Sequence, residues 1–78
     1  MPTVLRLKGY RFFFYSNDHD PPLIHVEKGG ATAKFNLQPV ELLRSKNFNA
    51  NEINELRKIV NVYSNYFKNK WYEHFAAK

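Results

Sequence analysis

The residues of this 78-residue chain that could do chemistry are its three histidines and a set of cations interleaved with aromatic rings. His25 comes first. Period-2 alternation puts His25 and Glu27 on one face of an extended segment, with Ile24 and Val26 on the other. Together with Arg11 and Lys34, and with Tyr15 near by, His25 could run a metal-independent ribonuclease. That reaction needs an acceptor for the 2′-hydroxyl proton, a donor for the leaving oxygen and a cation for the phosphorane. The competing reading is an ordinary packed, hydrogen-bonded strand histidine, and no spacing in the sequence argues against it.

A second constellation is Arg6, Lys8, Arg11, Phe13 and Tyr15. In a hairpin Arg6 and Arg11 would sit nearly opposite each other. Like charges across a strand pair are destabilising, which points to an anion held between them. Cations for phosphate and exposed rings for bases are what single-stranded RNA or DNA requires. Alternatively, the two arginines form salt bridges with Glu27 or Asp20. A third group, Asp18-His19-Asp20 with His25, offers oxygen and nitrogen ligands for a divalent cation. A plain turn explains the same run equally well, and the glycine and distal glutamate of a calcium loop are missing. Neither a metal nor a cofactor is therefore expected.

These residues must be positioned by a small number of elements. Thr3–Tyr15 (TVLRLK-GY-RFFFY) is rich in β-branched and aromatic residues around one glycine, the pattern of a hairpin. A turn at Lys8-Gly9 pairs Leu7 with Tyr10, Leu5 with Phe12 and Thr3 with Phe14. Leu5, Leu7, Tyr10, Phe12 and Phe14 then share the core face. After a polar loop, Ser16 to Pro22, a second hairpin runs from Leu23 to Glu27 and back over Ala31–Leu37. Two sequential hairpins most simply give an antiparallel meander. Pro39–Asn47 is ambiguous: a short edge strand or one to two helical turns.

Asn49-Ala50-Asn51-Glu52 has the form of a capping box, and an amphipathic helix is expected over 50–75. Its stripe is Ile53, Leu56, Val60, Tyr63, Phe67, Trp71 and Phe75. Unbroken, it would be about 39 Å long at 1.5 Å per residue, against ~17–24 Å for the strands it covers. So the helix either breaks near Ser64-Asn65 or carries its last turns beyond the sheet. Tyr66, Trp71, Tyr72 and Phe75 are the candidate surface for a partner protein or a second copy of the chain. The expectation is one α+β domain over residues 1–78: a four-stranded antiparallel meander with one long C-terminal helix on one face.

Composition narrows the class without naming an activity. There is no cysteine, so neither disulfides nor a thiolate zinc site reinforce the fold. Aromatic residues at 17% take that role. No apolar run approaches the ~20 residues of a membrane span, and no signal-peptide pattern opens the chain, so a cytoplasmic protein without membrane partners is expected. The net charge of +5 favours nucleic acid or an acidic protein as partner.

Several stretches together resemble one family. They are MPTVLRLKGYRFFFYSND at the start, PP-x-I-H-V at Pro21–Val26, A-K-F-x-L at Ala33–Leu37, the PVEL stretch and the closing W-Y-E-H-F. The chain is similar over essentially its whole length to a bacterial domain of unknown function, DUF4160. The resemblance implies one half of a two-gene, toxin–antitoxin-like module whose partner is a small protein encoded near by, and it brings no established reaction. Family members often carry a second histidine where this chain has Leu23, which weakens a metal or two-histidine reading here. Three roles follow as expectations: an interaction protein of such a module, a ribonuclease toxin centred on His25, or a non-catalytic nucleic-acid binder.

Overall fold

The computed structural model describes residues 3–15, 18 and 21–76. Five strands form one antiparallel sheet in simple sequence order: β1 (Thr3–Leu7), β2 (Tyr10–Phe13), β3 (Leu23–Lys28), β4 (Ala31–Leu37) and β5 (Val40–Lys46). Two helices follow, α1 (Ala50–Val62) and α2 (Ser64–Ala76). The α+β meander is as expected, but it has one strand more and two helices in place of one.

The extra strand is the ambiguous stretch. Val40 and Leu42 pair with Leu37 and Phe35, so an edge strand brings both to the core face beside fully buried neighbours. A turn at Gln38-Pro39 connects β4 and β5, and Asn36 Nδ2 donates to the Pro39 carbonyl at 3.0 Å. The helix is interrupted at Tyr63, one residue before the expected place. Backbone bonds nevertheless run across the junction, from Tyr63 N to Ile59 O at 2.9 Å and from Phe67 N to Tyr63 O at 2.8 Å. At the start of α1 the capping box forms: Glu52 N donates to Asn49 Oδ1 at 2.8 Å, and Asn49 N donates to Glu52 Oε1 at 3.0 Å.

The first hairpin pairs Leu7 with Tyr10 and Leu5 with Phe12, as the alternation requires. An irregularity between Thr3 and Leu5 then places Thr3 opposite Phe13 rather than Phe14. That shift turns Thr3 to the open face, where its hydroxyl accepts from Arg11 Nη1 at 3.0 Å. The turn takes positive φ at both central residues, 54° at Lys8 and 83° at Gly9, which suits the right-handed twist of the flanking strands. A side chain at Gly9 would also meet Lys28 Cε at 3.3 Å.

Both helices lie on the face bearing Phe12, Phe14, Ile24, Val26, Phe35 and Leu37. Phe12 stacks on Phe67 with centroids 5.3 Å apart, and Phe14 meets the Trp71 ring edge-on at 5.4 Å. Trp71 in turn lies 4.1 Å from Phe75. Rings thus supply the reinforcement that cysteines do not, each burying about 150–250 Å². No described helix is long and apolar enough to cross a membrane.

Candidate nucleic-acid interface

Opposite the helices the sheet has an open face, and the strand register fixes which side chains meet there. One row runs Phe13–His25–Lys34–Arg44 across β2, β3, β4 and β5. The next runs Arg6–Arg11–Glu27–Thr32–Lys46 across all five strands. Directly opposed residues point the same way, so each row is a line of neighbours about 4.8 Å apart.

Arg44 and Lys46 reach this face because of one local irregularity. Strict alternation from Val40 and Leu42 would send both to the core side. The β4–β5 register instead shifts between Lys34 and Phe35, with Phe35 opposite Leu42 and Lys34 opposite Arg44. Leu43 is the extra residue of the bulge, left half-exposed, and everything after it changes face.

The two ends of the open face differ in charge balance. At the β1–β2 end Arg11 is already engaged. Its Nε donates to Glu27 Oε1 at 2.6 Å, its guanidinium lies 4.3 Å over the Phe13 ring, and Thr3 takes a third bond. At the β4–β5 end Lys34, Arg44 and Lys46 have no acidic partner among the described residues. These three cations line a cavity of about 260 Å³ whose opposite wall is Phe13, Tyr15 and His25. One wall of the cavity is cationic, the other aromatic.

The aromatic wall is held by Asp18. Its Oδ2 accepts from the Tyr15 backbone N at 2.9 Å, and both carboxylate oxygens lie 3.1 Å from His25 Nε2. The His25 and Asp18 side chains are only 15% and 11% exposed, so solvent screens this contact weakly. Phe13 stacks on His25 with centroids 5.5 Å apart, and Tyr15 meets His25 edge-on at 4.5 Å. Phe13 is buried beneath them, while Tyr15 is 40% exposed.

The residues anticipated from sequence therefore separate. His25, Lys34, Phe13 and Tyr15 come together. Arg11 lies one row away, bound to Glu27, so the proposed trio of His25, Arg11 and Lys34 is split. Arg6 is exposed at a shallow corner shared with Arg11, Glu27 and Lys28. Lys8 turns to the helix side, with its Nζ 3.4 Å from Glu55 Oε2. There Glu55 Oε1 also accepts from the Tyr10 hydroxyl at 3.0 Å. Burial, with the Glu55 bond behind it, pushes the Tyr10 phenol up to about 12. The same bond, aided by Lys8, holds the Glu55 carboxyl below the usual range.

Of the anticipated partner surface, Trp71 is 1% exposed and belongs to the core, and Phe75 is half-buried against it. Tyr66 and Tyr72 are exposed, and Tyr66 donates its hydroxyl to the Val4 carbonyl at 3.0 Å. In the Asp18-His19-Asp20 run, His19 and Asp20 lie outside the described residues. Sequence reasoning missed Arg44, Lys46 and the orienting role of Asp18. The signal for the two cations was the spacing Arg44-Ser45-Lys46, which shares a face once the segment is a strand.

Residues 9–72 match the family described as Domain of unknown function (DUF4160). The chain belongs to DUF4160. Comparison with curated proteins and with solved structures finds no match. The family membership agrees with the motifs of both hairpins and the capped helix, and it leaves the activity to be argued from the open face.

Proposed function

We propose that this DUF4160 chain binds single-stranded nucleic acid, RNA first, on the open face of its sheet. The observation that carries the reading is the set Lys34, Arg44 and Lys46, without acidic partners among the described residues, facing the exposed Tyr15 ring across one cavity. Cations kept adjacent at a cost in folding energy are explained by a polyanion that neutralises them. An exposed ring beside them provides sequence-tolerant stacking.

The test is fluorescence anisotropy with a labelled 12-nucleotide RNA over a salt series. Two phosphate contacts, with Lys34 and Arg44 sharing one, give a slope of log affinity on log salt of about −1.4, at roughly 0.7 per contact for single strands. Lys34→Glu with Arg44→Glu should remove binding, and Arg6→Glu should weaken it only slightly. Equal binding by the double variant, or none by the wild type, overturns the reading.

A ribonuclease centred on His25 is the second reading, supported by the Asp18 carboxylate on Nε2. That contact fixes the ring and would stabilise an imidazolium formed on taking the 2′-hydroxyl proton. Incubation with RNA separates the two: cleavage by the wild type that His25→Ala abolishes makes the chain an enzyme. Membership of a toxin–antitoxin-like two-protein module, with a small partner encoded near by, is proposed on the family resemblance. Its support on the surface is the exposed Tyr72, and the test is growth on inducing this gene alone and then with its neighbour.

A further inference from the structure

Resting on that reading, we infer that the cavity holds one nucleotide with a phosphate on each side: its base on Tyr15, one phosphate between Lys34 and Arg44, the other at Lys46. The argument is the spacing of the two rows. From His25 on β3, whose ring lies 4.5 Å from that of Tyr15, to Arg44 on β5 is two strand separations, about 9.6 Å. This is the reach from a stacked base, across its sugar, to its own phosphate. From Arg44 to Lys46 is two residues along one strand, about 6.7 Å, close to the step between consecutive phosphates in an extended chain.

The backbone of the ligand therefore follows β5, and its bases point across the sheet toward β2. The exposed Thr32, opposite Lys46, supplies a hydroxyl for the second phosphate. A volume of about 260 Å³ suits one nucleotide rather than a stack of them. At the β1–β2 end Glu27 holds Arg11, and Arg6, which has no acidic partner among the described residues, lies four strands from Lys46 and outside the cavity, so it does not serve the same nucleotide.

The experiment is calorimetric titration of the full chain with adenosine 5′-monophosphate, adenosine 3′,5′-bisphosphate and the 12-nucleotide RNA. Lys46→Ala and Arg44→Ala accompany the wild type, and circular dichroism checks that both fold. The bisphosphate should bind about fivefold more tightly than the monophosphate, the most an exposed ion pair contributes. Lys46→Ala should erase that difference while retaining monophosphate binding, and Arg44→Ala should weaken both ligands. If mono- and bisphosphate bind equally while the RNA binds, the one-nucleotide register is wrong and the nucleic-acid reading stands. If the RNA fails to bind, both fall. If an oligoglutamate peptide displaces the RNA at equal charge concentration, the face serves an acidic protein and the inference is overturned.

Discussion

Replacing Asp18 tests whether one carboxylate positions the aromatic wall of the cavity. It accepts a bond from Tyr15 N at 2.9 Å and sits 3.1 Å from His25 Nε2, with little of its side chain exposed. Hydrogen bonds to a charged group contribute about 1.5–3 kcal/mol each before the loss of chain entropy is counted. Asp18→Ala should therefore destabilise the fold by about 2–3 kcal/mol. Asp18→Asn keeps an acceptor for Tyr15 N and loses the charge facing His25, so about 1 kcal/mol is expected. In a chain this size each kcal/mol moves Tm by about 4–8 °C, which makes the two variants separable in a thermal melt. Urea unfolding of Asp18→Ala, His25→Ala and the double variant gives the coupling, expected near 1 kcal/mol. An Ala variant within 0.5 kcal/mol of wild type, or strictly additive changes, would refute the claim that Asp18 holds the ring.

Alkali should loosen the other side of the molecule. The folded Tyr10 phenol, raised to about 12 from an ordinary 10, contributes stability that is complete below pH 10 and lost as pH rises toward 12. Between pH 8 and 11, half-way through that window, the loss is about 1.4 kcal/mol, and it should be absent from Tyr10→Phe in urea titrations at those two pH values. On α2, Trp71→Ala should cost about 3–5 kcal/mol and leave little folded protein, whereas Tyr72→Ala should unfold within about 0.5 kcal/mol of wild type. Equal effects from the two would contradict the placement of the Trp71 ring against Phe14.

The hairpins were readable from sequence because their signals are local. Alternation in Tyr10–Phe14 and Ala31–Leu37, glycine at the turns and the Asn49–Glu52 box each need only neighbouring residues. The fifth strand was not, because Val40–Lys46 is too short for its period to decide and pairs through contacts with β4 that only the fold supplies. The helix break likewise depends on how α1 and α2 together cover the sheet. The site divides in the same way. His25, Lys34, Phe13 and Tyr15 follow from alternation within single strands. Arg44 and Lys46 depend on a bulge, and a bulge reverses every later assignment while leaving composition and pattern unchanged. For Arg11 the sequence leaves two outcomes open, an anion beside Arg6 or a salt bridge with Glu27 or Asp20, and the β2–β3 register, which joins residues 16 positions apart, decides for Glu27.

If Lys34 and Arg44 are kept together for a ligand, folding and binding must respond to them with opposite signs. They stand directly opposite on β4 and β5, and like charges in that relation are unfavourable by about 0.2–1 kcal/mol. Arg44→Glu removes that repulsion and gives Lys34 a cross-strand partner, so the free protein should become more stable by about 0.5–1.5 kcal/mol in urea at low salt. The gain should shrink as salt rises, since the Arg44 side of the pair is exposed. The same substitution should abolish RNA binding. A stabilised variant that no longer binds identifies the pair as a feature retained for its ligand at the expense of the fold. An Arg44→Glu protein that is no more stable than wild type at low salt would mean that the two side chains splay apart. The β4–β5 end would then present two separate cations, and not the single phosphate site argued from their register.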